Sequence, residues 1–222
     1  MGCLVELVNV SKSLGGVEVL RGINLCVSKG EKHVIRGRSG VGKTTLLKII
    51  ALLLRPDGGR VAYRGNDYWL LPPNSRDMVR MEISYIPQDL LLIPHLTVFE
   101  NIALPLRIRG VKGPRLQEKV VEVAEALGIK HILDKSPSAI SGGEKQRVAI
   151  ARALVSDPVM IVADEPTAFL DDENSRVVYE LFAREAHSRG VAVVVSSTSY
   201  EKTVNGDWRE HWLVRGELVS KS

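Results

Sequence analysis

The sequence predicts an α/β fold: a P-loop core with a parallel sheet, an antiparallel β region before it and a helical lobe inserted within it. Three observations predict this. Gly37-Arg38-Ser39-Gly40-Val41-Gly42-Lys43-Thr44 fits the pattern G-x-x-x-x-G-K-[ST], between strand-like His33-Val34-Ile35 and helix-like Thr45-Leu46-Leu47-Lys48-Ile49-Ile50. The last third alternates strand and helix, and its continuous Val/Ile/Ala runs suit parallel strands buried on both faces. The first third instead reads as strands with one wet face.

In chain order, Leu4 to Val10 alternates apolar and polar and predicts a strand. Val17 to Val27 predicts a second, with turns near Gly15-Gly16 and Lys29-Gly30. After the glycine loop and its helix, Arg55-Pro56-Asp57-Gly58-Gly59 predicts a turn, followed by short strands at Val61-Ala62-Tyr63 and Ile83-Ser84-Tyr85-Ile86. The middle changes character: Thr97 to Leu104 and Arg115 to Leu127 carry helical spacing, with Pro114 suited to a helix start and Gly128 to a helix end. Strand Val159 to Ala163, helix Glu173 to Arg189 and strand Val191 to Val195 complete the pattern. We read residues 1–222 as one domain with the helical lobe at about 89–156.

Composition narrows the classes. With 222 residues and 45% hydrophobic content the chain can bury a large core. No apolar run approaches the roughly 18 residues of a membrane span, and no signal peptide is visible, which predicts a cytosolic chain. Cys3 and Cys26 lack metal-ligand spacing and read as reduced thiols. The net charge of +4 is mild, and the basic residues lack aromatic interleaving, so nucleic-acid binding is not expected. None of the five histidines has metal-ligand spacing; His33 reads as surface or packing, and Trp208 and Trp212 as packing.

The glycine loop carries a direct chemical expectation. Gly37, Gly40 and Gly42 allow a tight turn whose N–H groups form an anion nest, together with the backbone of Arg38, Ser39 and Val41. Lys43 supplies a charge for the outer phosphates, Thr44 a hydroxyl for Mg²⁺, and the helix from Thr45 onward points its positive end at the anion. Downstream, Val159-Met160-Ile161-Val162-Ala163 delivers Asp164 and Glu165 at a strand tip, where such sheets place ligands. Asp164 is then a metal holder and Glu165 the residue that polarises an attacking water. Ser141-Gly142-Gly143-Glu144 opens an apolar helix with a suitable N-cap and makes a second anion site. Gln88 follows a strand and can reach a metal or a water.

Together these motifs resemble the nucleotide-binding subunit of ATP-binding cassette transporters, over residues 4 to about 219. The phosphate loop is Gly37 to Thr44, the acidic strand end is Asp164-Glu165, and Ser141-Gly142-Gly143-Glu144 is the signature, with Glu144 where glutamine is commoner. Gln88 matches the family's glutamine loop, and Ala168-Phe169-Leu170-Asp171 its D-loop. The stretch Leu96 to Leu106 is similar to the lipoprotein-release and macrolide-efflux group. The resemblance implies ATP and Mg²⁺ as cofactors, ATP hydrolysis, and a head-to-tail dimer in which one P-loop and the other subunit's Ser141-Gly142-Gly143 clasp each ATP. It implies a homodimer or a pairing with a more complete cassette, and a membrane permease partner on the inner face of the cell membrane. The alternatives are an ATPase of a non-transport cell-envelope complex, or a slowly hydrolysing, nucleotide-gated partner of a second cassette.

Two positions depart from the family. Leu14 stands where an aromatic residue usually stacks on adenine, so weak base selectivity is expected. Thr198, in Ser196-Ser197-Thr198-Ser199, stands where a histidine usually meets the γ-phosphate. Losing one well-aimed donor costs ~10²–10³ in rate, so slow turnover with intact ATP binding is expected.

Overall fold

The computed structural model describes residues 2–168, 170–198 and 207–220. Phe169 of the D-loop and Ser199 of the serine-rich run lie outside the described residues.

Strands β1 (Val5–Leu14) and β2 (Val17–Val27) pair antiparallel across the Gly15-Gly16 turn, and β1 also pairs with β4 (Gly58–Tyr63). A short β5 (Asn66–Asp67) completes a sheet of order β2-β1-β4-β5. The register opens a bulge between Val8 and Ser11 on β1. There Gly59, at φ +80°, lies so close that a Cβ would sit 2.3 Å from the Asn9 carbonyl oxygen. Backbone against backbone leaves no soft neighbour to yield, so Gly59→Ala is expected to destabilise the protein by about 2–4 kcal/mol. A denaturation curve within 1 kcal/mol of wild type, on the order of one ordinary surface change, would contradict this packing.

The second sheet has the order β10-β9-β3-β8-β7-β6. Its strands are β3 (Lys32–Arg36), β6 (Ile83–Ile86), β7 (Met160–Ala163), β8 (Ala192–Ser197), β9 (Arg209–Val214) and β10 (Glu217–Ser220). All pairings are parallel except β9 with β10. Its central strands divide their side chains between two cores, as the two-residue period requires. Val34, Ile161, Ala163, Val193 and Val195 join the core shared with the helices that follow β6. Ile35, Met160, Val162, Ala192 and Val194 join the core around α1 (Lys43–Ile50) and the first sheet. Unbroken apolar runs in β7 and β8 are therefore needed on both faces.

Between β6 and β7 lie α3 (Val98–Ile108), α4 (Gly113–Ala126) and α5 (Gly142–Leu154). Thr97 caps α3 in a reciprocal box with Glu100, and the helix runs past the expected end at Leu104, keeping Pro105 inside it. The helix α2 (Pro73–Met81) has no fully buried residue, and its apolar residues Met78, Val79 and Met81 fall only in its last turn, too few to reveal it. Helix α6 (Asp172–Arg189) ends on Gly190 at φ +67°. Among the described residues no helix is long and apolar enough to cross a membrane.

One expectation needs correction. Cys3 and Cys26 are not free thiols: they form a disulfide with Cα atoms 5.4 Å apart. The antiparallel register that pairs Val5 with Val27 brings them together, and a separation of 23 residues along the chain could not reveal it. The cysteines thus lend no support to a reducing compartment.

Of the two readings of His33, surface or packing, the structure takes packing: the residue is 1% exposed. It lies in a chain of contacts in which His33 Nε2 meets Glu31, His33 Nδ1 meets His211 Nε2 at 2.9 Å, and His211 Nδ1 meets Ser220 Oγ at 3.0 Å. Both rings are satisfied as neutral imidazoles if His33 Nε2 and His211 Nε2 carry the protons. Burial, with His33 and Arg209 adding to it, lowers the His211 pKa to about 4, and burial also lowers that of His33. The unfolded chain therefore binds more protons below about pH 6.5, and stability is lost as pH falls from there toward about 4. For His211 alone the loss by pH 5 is about 2 kcal/mol, or a drop of roughly 4–8 °C in Tm. Melting His211→Gln beside wild type should give a flatter Tm–pH line; parallel lines would remove the histidines from this dependence.

Candidate functional site

Register sets the site. Parallel pairing aligns Arg36 of β3 with Ser197 of β8, Ala163 of β7 with Val195, and Ile86 of β6 with Ala163. The chain leaves these four strand tips at Gly37, Thr198, Asp164 and Pro87, so four separate segments meet at one edge of the sheet. They form a cavity of about 540 Å³ lined by Arg38, Ser39, Gly40, Gly42, Lys43, Thr44, Thr45, Gln88, Glu165 and Thr198, with Leu14 and Val19 closing one side.

The glycine loop fits only with its glycines. A Cβ on Gly37 would meet the Leu213 carbonyl at 2.8 Å and Val41 at 3.0 Å. Gly40 and Gly42 take φ of +77° and +108°, and Gly42 is the residue from which α1 starts. Lys43 is buried, and its Nζ donates to the carbonyls of Gly37 and Arg38 at 3.0 and 3.1 Å. The same ammonium stands 3.4 Å from Glu165 Oε1.

Asp164 is 2% exposed and its two oxygens have different partners. Oδ2 accepts from the Thr44 hydroxyl at 2.6 Å, and Oδ1 from the Ser196 hydroxyl at 2.6 Å. Burial, and then the Asp164 charge, push the pKa of the nearby Tyr85 phenol up. Glu165 takes φ +48°, a left-handed conformation that costs a non-glycine residue on the order of 1–3 kcal/mol. Its N–H donates to Ser196 Oγ at 2.9 Å, and its Oε2 accepts from Thr198 Oγ1 at 3.2 Å. Ser196 was not anticipated as a site residue; a serine within a hydroxyl-rich run gives no sign of which neighbour it serves.

Gln88, Thr44 and Thr198 are exposed at the cavity, and Leu14 is 47% exposed. A hydroxyl beside one carboxylate, with a side-chain amide nearby, is the all-oxygen set that suits Mg²⁺, which also takes phosphate oxygens and water.

The remaining expected residues are placed elsewhere. Ser141 caps α5: its Oγ accepts from the Glu144 N–H at 3.3 Å, and Glu144 Oε2 accepts from the Ser141 N–H and O–H, each at 2.8 Å. The Ser141 N–H is the main cause of a lowered Glu144 pKa, so this carboxylate is engaged with its own cap. Asp171 caps α6 by accepting from the Asn174 N–H at 2.8 Å. A Cβ added at Gly143 would meet Leu170 Cδ2 at 3.4 Å, so the α5 start and Leu170 of the D-loop lie side by side. Ser141, Gly142, Gly143, Glu144 and Asp171 do not line the P-loop cavity of their own chain.

Residues 20–168 match the ABC transporter family, a span that takes in the P-loop, the α5 start and the acidic strand end. The chain belongs to the ABC transporter family. It is the ATP-binding domain of that family by fold as well: it superposes on the dimeric ABC transporter cassette MJ0796 with a TM-score of 0.89, at 31% identity and with 96% of each chain covered. A post-hydrolysis state of MJ0796 bound to ADP and phosphate matches equally, at 32% identity over 98% of this chain and 97% of the other. The lipoprotein-releasing system ATP-binding protein LolD of Geobacter metallireducens is 40% identical, over 99% of this chain and 100% of its own length. The molybdate/tungstate import ATP-binding protein WtpC of Pyrococcus horikoshii is 44% identical over 90% of this chain. The ABC chain described here spans 56% of that relative's length.

Proposed function

We propose that this chain is the ATP-binding and hydrolysing subunit of an ABC transporter, working as a nucleotide-closed dimer on a membrane permease. The observation that carries the reading is the shared cavity, in which the P-loop, Gln88, Glu165 and Thr198 converge from four strand tips, with Asp164 bonded to Thr44 behind it. The loop N–H groups and Lys43 would hold the phosphates, and Thr44, Asp164 and Gln88 would hold Mg²⁺. Bound there, the metal would neutralise charge that develops on the phosphates. Glu165 would take the proton of the attacking water, with the Lys43 ammonium 3.4 Å from its Oε1.

Ser141, Gly142 and Gly143 lie outside the cavity of their own chain, which supports their use by a second subunit. With Asp171 they would close over the partner's nucleotide. Whether that partner is a second copy or a more complete cassette follows from how the chain behaves alone. A peripheral position on the inner membrane face accords with the reading. On this reading the helical lobe at about 89–156, which carries the α5 start, would move as the dimer closes. Relatives named for import and for lipoprotein release match at comparable identity, so cargo and direction belong to the permease.

The test is phosphate release from MgATP by the purified chain, alone and with its co-purified membrane partner, against Glu165→Gln as baseline. Release above that baseline, and a multi-span partner, support the motor; no release in either setting overturns it. A partner with one or two membrane passes would instead favour the cell-envelope role.

A further inference from the structure

Among the groups that the proposed chemistry does not use, one stands out by its contacts. Ser196 lies on β8, wholly buried, between the two acids. A hydroxyl has one proton to give and lone pairs to receive. Here the proton goes to Asp164 Oδ1 at 2.6 Å, and a lone pair takes the Glu165 N–H at 2.9 Å. One side chain thus grips the side chain of Asp164 and the backbone of Glu165.

Building on the ATPase reading, we infer that Ser196 is a positioning residue that sets Asp164 for the metal and Glu165 for the water. The two oxygens of Asp164 are not equivalent. Ser196 fixes Oδ1 on the buried side, which turns Oδ2 toward Thr44 and the cavity, where a cation would be shared with the Thr44 hydroxyl. Without the Ser196 proton, Oδ1 is a buried carboxylate oxygen that must rotate to find a donor, and the hydroxyls beside Asp164 are those of Thr44 and Tyr85. The same substitution removes the acceptor from the Glu165 N–H, in a residue already held at φ +48°. Glu165 Oε2 would then drift from Thr198 Oγ1, now 3.2 Å away. Metal affinity and turnover should fall together, while metal-free ATP binding, which uses the loop and Lys43, should not.

The experiment uses Mn²⁺ in place of Mg²⁺, read by electron paramagnetic resonance in the presence of ATP, with phosphate release measured in parallel. Ser196→Ala and Ser196→Cys should each weaken Mn²⁺ binding about tenfold and lower kcat at saturating metal by tenfold or more, with ATP binding in EDTA unchanged. Ser196→Thr, which keeps the hydroxyl, should recover most of both. Wild-type Mn²⁺ affinity in Ser196→Ala overturns the inference, and so does an equal loss of ATP affinity with and without metal, which marks general damage to the fold. The ATPase reading fails separately: wild type would then release no phosphate above Glu165→Gln, whatever Ser196→Ala does to Mn²⁺ binding.

Discussion

Glu165→Gln is expected to lower phosphate release by ~10²–10⁴-fold, the range that a general base contributes. Glutamine matches glutamate in shape, so the left-handed turn at position 165 and the Ser196 contact to its N–H survive the change. What disappears is the acceptor charge beside Lys43 and the ability to receive a proton from water. Binding should hold or tighten, because the Lys43 ammonium no longer has a carboxylate at 3.4 Å to share with phosphate. A stopped-release assay with a nucleotide-binding titration separates the two effects. Release within threefold of wild type would take the base role away from Glu165.

Thr198→His is expected to act in the opposite direction and raise turnover by about ten- to a hundredfold. Thr198 sits at the tip of β8 with its hydroxyl on Glu165 Oε2, so it orders the carboxylate but reaches little further into the cavity. Imidazole is longer, and at neutral pH it can be a donor at the place where charge grows on the phosphate. The gain should fall almost wholly on kcat, with ATP affinity changed less than threefold, because the donor is aimed at the transition state. Unchanged kcat in a variant that folds and binds ATP would show that position 198 does not limit the rate.

Much of this was legible in the sequence because local chemistry and tertiary position coincide. Gly37, Gly40 and Gly42 have no substitute in the loop they form, so the pattern in the sequence is the geometry of the loop. The Val/Ile/Ala runs of β7 and β8 were readable because both faces of those strands are buried. Ser141 could be seen as a cap because a capping box is set by residues three apart.

The misses share another cause: contacts that only register creates. The Cys3–Cys26 bond follows from how β1 lies on β2, and the His33–His211 pair from how β9 lies on β3. Ser196 meets Asp164 from a neighbouring strand, 32 positions away in the chain. The helix α2 escaped for a different reason: it has no fully buried residue, and only Val79, near its end, packs on the core.

The central claim is that nucleotide is closed between the P-loop of one subunit and the α5 start of another. It is tested most directly by cross-linking across that joint. Ser39 lines the cavity and Ser141 is exposed at the start of α5, so each can carry a cysteine in a Glu165→Gln chain with Cys3 and Cys26 replaced by serine. Mixed in equal amounts, Ser39→Cys and Ser141→Cys chains should give a cross-linked dimer that forms with MgATP and is lost with MgADP. A yield that ignores nucleotide, or no dimer between these positions while Ser39→Cys pairs with itself, would contradict the head-to-tail clasp.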